Sequence, residues 1–181
     1  MENDQNTKHD FQEHKLVYVP HPALENAVPP LEVEDEDYRR ELCEYMYELM
    51  KRYHGLGLAA NQININAAVF VMSWQNNPLY AINPIINVVD GDDKTVLMTE
   101  GCLSDPGLYL KIKRPASIQA SWETIEGTRV QHTLHGMEAR VFQHEMDHLY
   151  GILFTDRVGK TKLNMARKKQ DRTLTNFLSR V

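Results

Sequence analysis

QHEMDHLYG, residues Gln143–Gly151, sets two histidines four positions apart with a glutamate directly after the first. An α-helix turns once per about 3.6 residues, so His144 and His148 project from one face, a single turn apart. Two neutral imidazoles in that arrangement chelate one metal ion, and Glu145 stands beside it as a base. Two ligands hold an ion loosely, so the pattern needs a third donor from elsewhere in the chain. The same spacing also arises by chance in helices that bind nothing.

The best third donor is Cys102, in the segment Glu100-Gly-Cys-Leu-Ser104. Gly101 permits backbone angles that other residues avoid, and a thiolate is a soft, anionic ligand. Cys43 is the weaker choice, because it falls inside a helical pattern where a buried, inert thiol is the commoner outcome. His9, His14, His21, His54, His132 and His135 read as surface or loop residues.

Around the motif, Met137–Tyr150 is predicted as its helix. An earlier helix is predicted over Asp35–Tyr53, where Tyr38, Leu42, Tyr45, Met46, Leu49, Met50 and Tyr53 recur at three- and four-residue intervals behind an acidic first turn. His54-Gly-Leu-Gly-Leu-Ala-Ala-Asn-Gln62 then breaks that helix with two glycines. A strand-like run covers Leu16–Pro20. Ala67–Trp74, Pro78–Val88, Thr95–Gly101, Ala116–Thr124 and Thr128–His135 are rich in β-branched and aromatic residues, divided by turn signals such as QNNP and DGDD. A third helix is expected near Thr161–Leu178. The order implies an α+β fold: mainly antiparallel sheets packed around a central helix that carries the His-Glu-x-x-His motif.

The chain has 181 residues, a size for one domain that buries roughly 70% of its unfolded surface without disulfides. Residues 1–14 are polar and expected to be a disordered extension, leaving 15–181 as a single catalytic domain. The net charge of −5 argues against DNA binding. The first forty residues are acidic, with EVEDED at Glu32–Asp37, whereas residues 157–181 carry Arg157, Lys160, Lys162, Arg167, Lys168, Lys169 and Arg172. Two cysteines are too few for a disulfide framework, no apolar run reaches the length of a membrane span, and the polar N-terminus lacks the apolar core of a signal peptide. These features point to a reducing cytoplasm, whether of a bacterium, an organelle or a phage host.

Together, GLGLAANQ (Gly55–Gln62), EGCLS (Glu100–Ser104) and QHEMDHLYG resemble the three signature motifs of the peptide deformylase family, in the family's order and rough spacing. The resemblance runs from about Leu16 to Leu153, with lesser echoes in AINP (Ala81–Pro84) and GILFTDR (Gly151–Arg157). It implies a metal enzyme that removes formyl from the N-terminal methionine of new proteins, with N-formyl-methionyl nascent peptides as partners. It also implies Cys102, His144 and His148 as ligands, Glu145 as acid/base and Gln62 as oxyanion donor. Iron as Fe²⁺ is the implied native metal, with Zn²⁺, Ni²⁺ or Co²⁺ as alternatives; a sulfur and two nitrogens suit any of these better than Mg²⁺ or Ca²⁺.

Formamide hydrolysis needs a nucleophile at neutral pH, help for a developing oxyanion and a proton for the departing amine, and these residue types supply all three. The backbone N–H of Leu103 is a further expected oxyanion donor. Leu56, Leu103 and Val141 are candidate walls for the methionine pocket, with plain core packing as the alternative. Gly57 and Gly101 are expected to let a substrate strand approach closely. The chain departs from the family at Tyr109, where an arginine is common, so recognition beyond methionine differs. The basic tail resembles the helix with which bacterial members dock on the ribosome. Two rival readings are a zinc protease, which would take a downstream His or Glu as third ligand and spare Cys102, and a metal-binding module without turnover.

Overall fold

The computed structural model describes residues 11–89 and 94–178. Five antiparallel strands form one sheet in the order β1–β2–β3–β6–β7, comprising Gly57–Ala59, Val69–Trp74, Asn77–Val89, Ser117–Glu123 and Arg129–His135. A separate antiparallel hairpin joins β4 (Thr95–Cys102) to β5 (Asp105–Pro115). Three helices cover these sheets: α1 (Glu36–Arg52), α2 (Gly136–Leu149) and α3 (Lys160–Leu178).

Strand β2 shows why the motif helix sits centrally. Successive strand side chains point to opposite faces, and Val69 and Val71 join the core beneath α1, whereas Phe70 and Met72 join the core beneath α2. A sheet covered on both faces needs apolar residues at both phases, which is why β2 reads as a continuous apolar run. On the α2 side, Phe70 meets Phe142 edge-to-face at 4.8 Å. A third cluster, Leu108, Leu110, Ile112 and Phe154, lies under the hairpin, with Leu163 and Ala166 of α3 packed on it.

Local signals explain the helix ends. Asp35 caps α1, its carboxylate accepting from the N–H groups of Asp37 (2.9 Å) and Tyr38 (3.1 Å). Past the end of α1, the chain turns at His54, whose φ of 56° lies in the left-handed region, and not at the glycine pair as the sequence suggested. Gly55 and Gly57 answer a need for space instead. At the other end of the motif, Gly151 takes φ 69° just past α2 and lies against the Asn26 backbone, where a Cβ would come within 2.7 Å.

Several expectations need correction. Leu16–Pro20 is not a strand; it makes isolated backbone bonds, Val17 N–H to the Gln62 carbonyl (2.9 Å) and Val19 N–H to the Ser104 carbonyl (3.0 Å). Strand β5 went unrecognised because Pro106 and Gly107 near its start read as turn. Residues 1–10 of the expected disordered extension lie outside the described residues, but residues 11–14 are packed: Phe11 is buried against Tyr38 and Tyr45 of α1.

Candidate metal centre

Three elements converge where β4 ends. Cys102 closes β4, and His144 and His148 lie one turn apart on α2, their rings 5.1 Å apart. The candidate ligand atoms of these three residues lie within 4.8 Å of one another, and Cys102 Sγ is 3.2 Å from His148 Nε2. Theirs is the group of three or more metal-capable side chains found among the described residues, and it contains no downstream histidine or glutamate of the kind a zinc protease would use. Cys43, the alternative donor, is buried in the α1 core, where burial pushes its thiol up to about 12.

The electrostatics suit a cation. His144 Nδ1 bonds Glu100 Oε2 at 3.1 Å, which leaves Nε2 as its candidate ligand atom. Burial disfavours a charged His144, yet hydrogen bonds to Cys102 and Glu100, with the nearby Glu145 charge, hold its pKa up at about 10. A proton there meets the demand for positive charge that a bound ion would satisfy, and an ion would displace it. His148 is pushed the other way, mainly by burial, so it stands neutral as a ligand must. A soft thiol and two imidazoles fit a borderline divalent transition metal.

Behind the ligands lies a buried ionic network. Arg114 grips Glu100 with two bonds, Nε to Oε1 (2.7 Å) and Nη2 to Oε2 (2.9 Å), and also reaches Asp147 Oδ2 at 2.8 Å. Arg140 donates to Glu100 as well, and Arg157 to Asp147. Burial alone would raise the Glu100 carboxyl, but bonds from His144 and Arg114 bring it down to about 2. None of these partners was among the expected site residues. Arg114 had a signal: Leu108, Leu110, Ile112 and Arg114 alternate along β5, so the period of two puts an arginine on the buried face.

The other expected residues line one cleft of about 550 Å³ with Glu145 at its base. Glu145 is almost fully buried, its Oε2 has no hydrogen-bond partner, and burial pushes its carboxyl up to about 7. Gln62 fixes its own amide by accepting from Ala59 N–H (2.8 Å), and directs Nε2 to Ser104 Oγ (3.1 Å) and Cys102 Sγ (3.6 Å). Leu103 and Val141 lie in the walls, whereas Leu56 is a half-exposed lip. Gly57 passes so close to Glu145 that a Cβ would stand 2.4 Å from Oε1. Gly101 lies beneath the ring of Tyr109, which is 68% exposed at the rim. Met137 and Arg140 also line the cleft and were not foreseen; they precede His144 by seven and four residues, so the helical period would have placed them on its face.

Comparison with known proteins agrees with this geometry. The family model described as polypeptide deformylase matches residues 13–164. A peptide deformylase of Thermotoga maritima is 39% identical over 148 residues, covering 82% of this chain and 88% of that protein. One from Phenylobacterium zucineum is 37% identical over 160 residues, covering 86% and 93%. Among solved structures, the peptide deformylase of Synechococcus elongatus in complex with actinonin superposes with a TM-score of 0.81 at 37% identity, covering 87% of this chain and 85% of that one.

Proposed function

The chain belongs to the polypeptide deformylase family, and from that premise we propose how its own residues perform the reaction. It is a hydrolase that removes the formyl group from the N-terminus of newly made proteins, leaving a free amine and formate. The observation that carries the residue assignment is the meeting of Cys102, His144 and His148 beside a buried Glu145.

Cys102 Sγ and the two imidazoles hold a divalent cation. When bound, such a cation supplies Lewis-acid polarisation and an acidified water. Glu145 takes a proton from the attacking water on its unpartnered Oε2 and later delivers it to the departing amine. The Gln62 Nε2–H and the Leu103 N–H steady the oxygen that gains charge; one such donor contributes roughly 3–4 kcal/mol. The methionine side chain enters between Leu103 and Val141, under the lip of Leu56. The substrate backbone lies as an extra strand against the open edges of β1 and β4, at Gly57 and Gly101.

The resemblance to the family favours Fe²⁺ as the native metal, which the donor set accommodates as it does Zn²⁺, Ni²⁺ or Co²⁺; elemental analysis of protein purified without oxygen checks it. Formate release from formyl-Met-Ala-Ser by that Fe²⁺ protein, beside an intact-protein protease substrate, tests the whole reading. Turnover of the formyl peptide alone is expected, and cleavage of the intact protein without formate release would overturn it.

The enzyme works in the cytoplasm of a bacterium, organelle or phage host; among the described residues no helix is long and apolar enough to cross a membrane. Docking on the ribosome would use Lys168, Lys169 and Arg172 on the exposed side of α3. Arg157 and Arg167 are already paired with the buried Asp147 and Asp105 and would contribute less. Loss of ribosome co-sedimentation when the three are neutralised, with peptide turnover unchanged, is the expected result; binding that ignores both charge and salt would remove the ribosome as partner.

A further inference from the structure

The turn that presents Cys102 is held from behind by the far end of the chain. Cys102 and Asp105 face each other across the β4–β5 hairpin, so Leu103 and Ser104 form its two-residue turn. Gln62 ties the turn on the cleft side through Ser104 Oγ. Asp105, at the far end of the turn, is buried, and α3 supplies hydrogen bonds to it: Arg167 Nη1 donates to Oδ1 at 2.7 Å and Gln170 Nε2 to the same oxygen at 3.2 Å. Gln170 also donates to the Pro106 carbonyl (2.7 Å) and accepts from Arg167 (3.0 Å), closing a small network around the start of β5. Asp105 Oδ2 is buried without a partner, so without the two donors the carboxylate would be left buried and unbonded.

We propose that Arg167 and Gln170 are positioning residues for the metal centre: by gripping Asp105 they set where Cys102 Sγ and the Leu103 N–H stand relative to His144 and His148. A surface helix that only covered apolar residues would need Leu163 and Ala166 against the Leu108–Phe154 cluster, and no polar side chain buried beneath it. Gln170 is such a side chain, only 9% exposed on an otherwise polar helix. The path from Asp105 to the sulfur is one short turn, so slack in the grip reaches the ligand directly. Through it the C-terminal helix, outside all three sequence motifs, becomes part of the catalytic apparatus.

The inference rests on Cys102 being a metal ligand, and the test separates the two ideas. Wild type, Arg167→Met, Gln170→Met and the double variant are loaded with Co²⁺; release to a chelator, the thiolate-to-cobalt absorption band, and kcat and KM for formyl-Met-Ala-Ser are measured. Loss of outer partners of a metal site costs about tenfold or more in metal affinity, so the double variant should release Co²⁺ about tenfold faster with a shifted band. Its kcat should fall by a larger factor than its KM rises, because Leu56 and Val141 of the pocket keep their places while the sulfur and the Leu103 turn shift. Arg167→Lys, which keeps a donor near Asp105, should restore most of the loss. Leu163→Ala loosens the same helix without touching Asp105 and should leave band and release rate unchanged at a comparable loss of Tm. If the double variant does not fold, the two single variants decide. Single variants with the wild-type band and release rate overturn the proposal, as does a Leu163→Ala protein that reproduces their changes. A wild-type protein with no thiolate band would instead remove the ligand reading, and the proposal with it.

Discussion

Gly57→Ala adds one methyl group where the fold has no room for it. A Cβ there would lie 2.4 Å from Glu145 Oε1 and 2.8 Å from both Glu145 Cδ and Val141 Cγ1. Ordinary contact begins at about 3.5 Å, so something must retreat by roughly 1 Å. The backbone at Gly57 does not take a positive φ, so alanine is conformationally acceptable and the effect is one of crowding alone. Gly57 is pinned by its pairing with Met72, whereas Glu145 Oε2 has no hydrogen bond to hold it. The carboxylate therefore moves. Overpacking of this kind costs roughly 1–3 kcal/mol, which leaves the protein folded. A misplacement of about 1 Å in a reacting group costs on the order of a hundredfold in rate. Steady-state formate release should show kcat down by about that factor, with metal content unchanged because no ligand atom is touched. Gly101→Ala is the contrast: its new Cβ would meet, at 3.0 Å, the exposed Tyr109 ring, which can swing outward, so its loss should stay below about tenfold. A fully metallated Gly57→Ala enzyme with kcat within about threefold of wild type would refute the reasoning, and loss of metal would show that Gly57 protects the ligands instead.

Cys102→Ala should lose bound metal and turnover together, since two imidazoles alone hold an ion weakly; elemental analysis checks it. Cys43→Ala should keep both, and in the wild type Cys43 should resist alkylation at pH 8 until denaturant is added, because its thiol stays protonated until the pH approaches about 12. Glu145→Gln should retain the metal and lose about 10²–10⁴-fold in kcat, because an amide cannot carry the proton; metal loss as severe as in His144→Ala would make Glu145 a ligand. Arg114→Met strips Glu100 and Asp147 of a shared partner, and breaking such a buried pair costs about 3–5 kcal/mol. A large drop in the denaturant midpoint is expected; a shift of under about 1 kcal/mol would mean that Arg140 and Arg157 can neutralise the two carboxylates alone.

What the sequence discloses depends on how local the physics is. Helix α1 announces itself by its period and acidic first turn, α2 by the His-Glu-x-x-His spacing, and β2, β3, β4, β6 and β7 by β-branched runs between turn residues. Strand β5 was hidden because its first residues, Asp105-Pro-Gly107, have the chemistry of a turn, and only the hairpin partner β4 makes them a strand. Cys102, His144, His148, Glu145 and Gln62 all lie in three short motifs, and the fold brings them together. Their supports do not: Arg114, Arg157, Arg167 and Gln170 lie 12, 55, 65 and 68 positions from Cys102 in the chain. No local pattern in a sequence says which carboxylate a distant arginine will meet. Composition likewise counts Arg157 and Arg167 as free surface charge, whereas the fold pairs both with buried carboxylates.

The arrangement of those supports has a physical logic. Each element that carries a candidate ligand also carries a carboxylate close to it: Glu100 two residues before Cys102 on β4, and Asp147 directly before His148 on α2. Glu100 does not orient its own neighbour but reaches across to His144, and Arg114 from β5 then bridges Glu100 to Asp147. The strand and the helix are thereby tied to one another at the level of the candidate ligands. A preorganised set of donors loses little freedom when the ion binds, which favours both retention of the metal and a fixed bearing of Glu145 toward the cleft. The buried charges cost stability compared with apolar residues of the same size. Their place beside this site fits a core built to hold two imidazoles and a thiol at fixed positions.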